Sequence, residues 1–156
     1  MSEFIKGLLT ALIPALLVSI ITALVTVRLS LKQFHSKRLW DKKAEAYYQI
    51  LEHLSYLKYY YGEWLNDLQF DLNIGEDRKK KLSEGYHQAK ESITKASAIG
   101  ELIVSESATK SMSELLSEIF KQHLNEDPNE AFEKSYDAVV ECIKMVREEA
   151  KKTLWK

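Results

Sequence analysis

The chain has 156 residues, a net charge of −1 and one cysteine, Cys142. Its length admits one modest domain with an appendage, its charge leaves no strong electrostatic signature, and a lone thiol excludes an intramolecular disulfide and fits a reducing compartment. Five glycines and two prolines among abundant Ala, Leu, Glu and Lys exclude a turn-rich β protein and favour helices.

Residues 1–6 are a short leader containing Glu3 and Lys6. Residues 7–27 then read GLLTALIPALLVSIITALVTV, 21 positions without a charge. At about 1.5 Å per residue, such a helix spans roughly 30 Å, the hydrocarbon thickness of a bilayer. The run is too long for a signal peptide, which also needs a basic leader and a small-residue cleavage site. The sequence therefore predicts one transmembrane helix. Arg28, Lys32, Lys37, Arg38, Lys42 and Lys43 follow it, against Lys6 alone before it. That bias places the N-terminus outside and the rest of the chain in the cytoplasm, with the basic collar against anionic lipid headgroups.

Two stripes mark the apolar run. Gly7, Ala11, Ala15, Ser19 and Ala23 recur every four residues, the spacing at which small side chains let two membrane helices approach closely. Thr10, Pro14, Thr22 and Thr26 lie beside them, with Ser30 beyond. Thr10, Pro14, Ser19, Thr22 and Thr26 are candidate pore-lining residues if the Thr and Ser hydroxyls face a common axis. The alternative is that each hydroxyl bonds its own helix, as Ser and Thr do to the carbonyl four residues back. Pro14 removes one backbone hydrogen bond and can kink the helix.

Beyond Val27 no helix breaker occurs before Gly62. Trp40, Ala44, Tyr47, Leu51, Leu54, Tyr61, Leu65, Leu68 and Leu72 form a 4-3 apolar repeat interrupted at Lys58, and Ile50, Leu57 and Trp64 widen it. This is the period of a bundle or coiled coil. It predicts that the membrane helix continues as one long helix, with a bend near Gln33 to Ser36. Asn73, Gly75 and Asp77 supply a break. A second helix is expected from Arg78 to Ala98 on Leu82, Tyr86, Ala89, Ile93 and Ala96, with a stop at Gly100. A third is expected from Ser107 to Leu124 on Met112, Leu115, Leu116, Ile119 and Phe120. Asp127-Pro128-Asn129-Glu130 reads as a helix start with a capping box. The last helix carries Phe132, Tyr136, Val139, Ile143, Val146, Ala150 and Leu154. The expectation is all-α: a transmembrane helix at 7–27 and a cytoplasmic antiparallel bundle of about four helices over 28–156.

No catalytic motif emerges. His35, His53, His87 and His123 lack zinc-ligand spacing, and Glu114 and Glu118 lack the histidine companions of a di-iron bundle. Nucleophile elbows, P-loops and dinucleotide fingerprints are missing. Cys142 reads as a buried small residue. The expectation is a non-enzyme with no metal and no cofactor. Two clusters could contact a ligand: the aromatics Tyr59, Tyr60, Tyr61 and Trp64, and the basic run Arg78, Lys79, Lys80 and Lys81. Aromatic stacking with cations is how single-stranded nucleic acid is held without base readout. The alternative reading is a core stripe and a solvated helix face.

The stretch Arg38-Leu39-Trp40-Asp41-Lys42-Lys43-Ala44-Glu45-Ala46-Tyr47, directly after an apolar run, resembles small bacterial single-span proteins of prophage and defence loci. Glu101 to Ala108 and Glu149 to Leu154 are similar to other parts of that group. The resemblance is diffuse, covers most of the chain and carries over no pore or ligand residues. That layout includes membrane effectors of anti-phage systems such as the Hailong type. The resemblance implies a homo-oligomeric ion channel in the bacterial inner membrane, gated by its cytoplasmic domain through an oligonucleotide or nucleotide from a partner enzyme. A membrane-anchored adaptor or sensing scaffold without a pore is the alternative.

Overall fold

The computed structural model describes residues 2–70, 72, 74–121 and 127–155, with side chains described from Val18 onward except at Glu101. Four helices are present: α1 (Ser2–Phe70), α2 (Glu76–Ile99), α3 (Glu106–Phe120) and α4 (Pro128–Leu154), with a 3-10 turn at Gly100–Leu102 between α2 and α3. No strand occurs among the described residues. The chain divides into two units, Met1–Asp41 and Lys42–Lys156.

The first unit is the N-terminal part of α1. Helical structure is continuous through residues 33–36, where the sequence suggested a bend. Every described side chain from Val18 to Asp41 is exposed. Among the described residues no helix is long and apolar enough to cross a membrane. The expected span at 7–27 lies in part outside the residues whose side chains are described.

The second unit is a four-helix bundle. Its core joins Tyr47, Ile50, Leu54, Leu57 and Tyr61 of α1 to Ala89 and Ile93 of α2, to Ala108, Met112, Leu115 and Leu116 of α3, and to Val139, Cys142, Val146 and Ala150 of α4. The directions of the helices follow from side-chain contacts. Tyr60 of α1 stacks on Tyr86 of α2 at 4.4 Å, and Tyr61 meets Phe132 of α4 edge-on at 5.9 Å. At the other end of the bundle the Tyr47 hydroxyl accepts from the Ser105 N–H (3.0 Å) and lies 3.4 Å from Thr153 Oγ1. Thus α2 and α4 run antiparallel to α1, while α3 starts beside Tyr47 and runs with it, giving an up-down-up-down order.

Several boundaries and faces differ from the sequence expectation. The buried seam of α1 runs through Tyr47, Ile50, Leu54, Leu57 and Tyr61, so Ile50 and Leu57 belong to its centre while Leu51 is half-buried and Lys58 exposed. The expected stripe also extends too far. Trp40, Leu68 and Leu72 are 49%, 41% and 61% exposed, and α1 ends at Phe70, before Leu72. Glu76 and Asp77 lie in the first turn of α2, where acidic side chains complement the helix dipole, so Asp77 is part of the helix and not of the break. Asn73 is outside the described residues, as is residue 124 at the expected end of α3. In α3, Phe120 is 60% exposed. The Ser105 hydroxyl caps α3 by accepting from Ala108 N–H (3.2 Å). Asp127 caps α4 through Asn129 N–H at 2.7 Å, with Pro128 in the first turn.

Candidate functional site

On the first unit, Ser19 and Ala23 of the small-residue stripe share one face with Thr22 and Thr26, bordered by Val18 and Val27 along a shallow trough. Two of its hydroxyls are satisfied locally. Thr22 donates to the Val18 carbonyl and Thr26 to the Thr22 carbonyl, each at 2.8 Å. This is the backbone bonding that lets Thr sit in an apolar helix without an outside partner. Gly7, Thr10, Ala11, Pro14 and Ala15 lie outside the residues whose side chains are described. Of the basic collar, Arg28, Lys32, Lys37, Arg38 and Lys42 are exposed, and Lys43 is half-buried.

The structure divides the aromatic and basic clusters in the bundle. Consecutive helical residues point about 100° apart, so Tyr59 and Tyr60 cannot share a face. Tyr59 is 47% exposed and meets Tyr56 edge-on at 6.0 Å. Tyr60 and Trp64 turn the other way, into a cluster with Tyr61, Tyr86 and Phe132. Within it Tyr60 and Tyr86 stack at 4.4 Å, and Trp64 and Phe132 stack at 6.0 Å with 23° between their planes. Tyr61 meets Tyr86 edge-on at 6.0 Å and donates to its hydroxyl at 3.4 Å. Tyr86 and Phe132 are the members that the run 59–64 could not disclose, because they come from α2 and α4. Their positions on the predicted apolar faces were the available signal.

Burial governs the chemistry of these phenols. It pushes Tyr61 far above the ordinary phenol range, reinforced by Tyr86 and opposed by the Ser135 hydroxyl. Tyr60 is raised by burial and then by Tyr86, while the Trp64 indole pulls the other way. Both are therefore neutral hydrogen-bonding groups in the physiological range. The Trp64 Nε1–H is buried beside the Tyr60 hydroxyl, in a contact too loose for a full hydrogen bond.

The basic run also separates. Arg78 donates to Glu63 at 2.5 Å, and its charged form is favoured first by the Tyr59 hydroxyl and then by Glu63. Lys79 places its ammonium 5.9 Å from the Trp64 ring centre. Lys80 and Lys81 are exposed. Of the predicted contacts, Tyr60, Trp64 and Lys79 are thus brought together, while Tyr59, Arg78, Lys80 and Lys81 are not part of that group. Lys90 lies 5.7 Å from the Tyr86 ring centre.

Chemistry elsewhere is sparse. Among the described residues no group of three or more His, Cys, Asp or Glu side chains is placed to hold a metal ion. Burial pushes the Cys142 thiol up to about 11, with Ser111 opposing, so it is not a nucleophile at neutral pH. No protein-family description, curated protein or solved structure matches the chain.

Proposed function

We propose that the chain is a single-span membrane effector acting as a homo-oligomer, in which the bundle senses a ligand and controls a pore formed by the N-terminal apolar segment. The observation that carries this reading is the make-up of α1. One helix, Ser2–Phe70, contains both the uncharged run at 7–27 and the core residues Tyr47, Ile50, Leu54, Leu57 and Tyr61. A change in bundle packing therefore acts on the same helix as the segment that would cross the lipid, and packed cores respond to ligands by discrete shifts. The flanking charges support a cytoplasmic bundle in the bacterial inner membrane. The small-residue stripe ending at Ser19 and Ala23 supports self-association. The resemblance of residues 38–47 supports a role in anti-phage defence, with opening that dissipates the membrane potential and arrests growth. The same resemblance supports a nucleotide or oligonucleotide from a partner enzyme as the gating ligand.

A second reading is favoured by the hydroxyls of Thr22 and Thr26. Both are satisfied within their own helix and need no water-filled lumen. In that case the segment is only an anchor, and the bundle is a docking or sensing scaffold. Expression in cells loaded with a potential-sensitive dye separates the two. A pore predicts depolarisation that Ser19→Leu or Thr22→Leu suppresses. Full function with the potential intact selects the scaffold.

A further inference from the structure

The seam between α1 and α4 opens outward as a cleft of about 270 Å³. Both helices supply its wall: Lys58 from α1, and Lys144, Arg147 and Lys151 from α4. Register explains the second group. Positions i, i+3 and i+7 fall on one face of a helix, here beside the buried row Val139, Cys142 and Val146. Val140 and Ile143 add apolar surface between the cations. Glu148 is the acid in the lining, and Lys151 takes it at 3.1 Å. Lys144 lies 3.7 Å from Glu141, which is outside the cleft. Lys58 and Arg147 enter neither pair. Lys58 sits 5.8 Å from the Tyr136 ring centre, a contact that supplies no full negative charge.

Like charges gathered in a concave site focus the potential and draw in anions. The basic run at Arg78 to Lys81 lacks that arrangement, because Arg78 is held by Glu63 while Lys80 and Lys81 stand exposed on a helix surface. The spacing of the cleft cations selects the form of the anion. Lys144 and Lys151 are seven residues apart, about 10 Å along the helix. One small anion cannot reach both, whereas a linear anion with several charges can. Arginine matches the paired oxygens of a phosphate, and lysine serves it as a point charge. None of the lining residues is aromatic, so a nucleobase finds no ring to stack on.

We infer that the α1–α4 cleft binds a linear oligophosphate, free or as the backbone of a short nucleic-acid strand, through charge and without base recognition. Bound there, the anion bridges Lys58 on α1 and Arg147 on α4, and so acts on the helix that carries the apolar run. The inference rests on the reading of the bundle as the ligand-sensing part. It can be tested without any current or potential, so its failure leaves the membrane proposal standing and the reverse also holds.

The experiment is calorimetric titration of the full chain in neutral detergent micelles. The probes are tripolyphosphate, short all-thymine and all-adenine DNA strands, inorganic phosphate and oligoglutamate. The expected result is saturable one-to-one binding of tripolyphosphate or of the strands, with inorganic phosphate and oligoglutamate weaker by about tenfold or more. Tighter tripolyphosphate identifies a free oligophosphate, and tighter strands identify a nucleic-acid backbone. The two strands should agree within about threefold. Arg147→Gln and Lys58→Gln, at exposed side chains, should each weaken binding by about threefold or more. Lys37→Gln with Arg38→Gln, in the basic collar, should weaken it less than either. If no oligophosphate binds at millimolar concentration, if oligoglutamate binds as well, if the strands differ by more than that threefold, or if the collar variant matches Arg147→Gln, the assignment is overturned.

Discussion

Replacing Gly85 by alanine tests the packing of α1 on α2 through the sign of its effect. Gly85 lies inside α2, where alanine ordinarily stabilises a helix by about 1 kcal/mol. Here a Cβ would fall 2.1 Å from Tyr56 Oη, 2.2 Å from Cζ and 2.7 Å from Cε1. Ordinary contact begins at 3.4 Å, so the half-buried ring must retreat by more than an ångström. Removing it from the helix surface forfeits roughly 1–2 kcal/mol of apolar burial. It also loses the long hydrogen bond to the Lys81 carbonyl (3.4 Å) and the edge contact with Tyr59, together worth about 0.5–1 kcal/mol. Gly85→Ala should therefore destabilise the bundle by about 1 kcal/mol. With Tyr56→Ala already present, the same change should stabilise it by about 1 kcal/mol. Chemical denaturation in micelles, followed by circular dichroism, measures both legs of the cycle. Equal stabilisation in both backgrounds would refute the seating of Tyr56 over Gly85.

Leu57→Ala, at a side chain with no exposure, should cost about 2–5 kcal/mol in the same assay, whereas Leu68→Ala, 41% exposed, should cost under about 1 kcal/mol. Ser105→Ala removes the cap of α3 and should cost about 1 kcal/mol, with Ser105→Asn restoring most of it. Cys142 should resist thiol reagents at pH 8 in the folded chain and react at once in denaturant. Its thiol is held at about 11 against an ordinary 9, so the folded state keeps this proton after the unfolded chain has lost it. The contribution is complete below pH 9 and is lost as pH rises toward 11, by up to about 3 kcal/mol at 1.4 kcal/mol per pH unit. Cys142→Ala should remove that part of the alkaline destabilisation, which a comparison of denaturation midpoints at pH 8 and pH 10.5 would detect.

Much of the bundle is readable from spacing. The apolar rows of α2 and α4, the burial of Cys142 and the start of α4 at Asp127-Pro128 follow from helical period and cap chemistry. Period alone could not say which of two adjacent rows on α1 is central, because Leu51 and Ile50 are equally apolar. The choice is made by where α3 and α4 dock. Nor could it set the ends of the seam, since Leu68 and Leu72 are buried only if partner helices reach that far, and they do not. The site was half legible. Tyr60 and Trp64 were visible as aromatics on a helix, but their partners Tyr86 and Phe132 are distant in sequence. Glu63 capturing Arg78, fifteen residues away, is likewise a product of the fold.

The claim on which the functional account stands is that residues 7–27 lie across a lipid bilayer. Alkaline carbonate extraction of membranes carrying the full-length chain tests it directly. The account predicts that the protein stays in the pellet and is released only by detergent. Recovery in the carbonate supernatant, followed by monodisperse behaviour without any amphiphile, would contradict it.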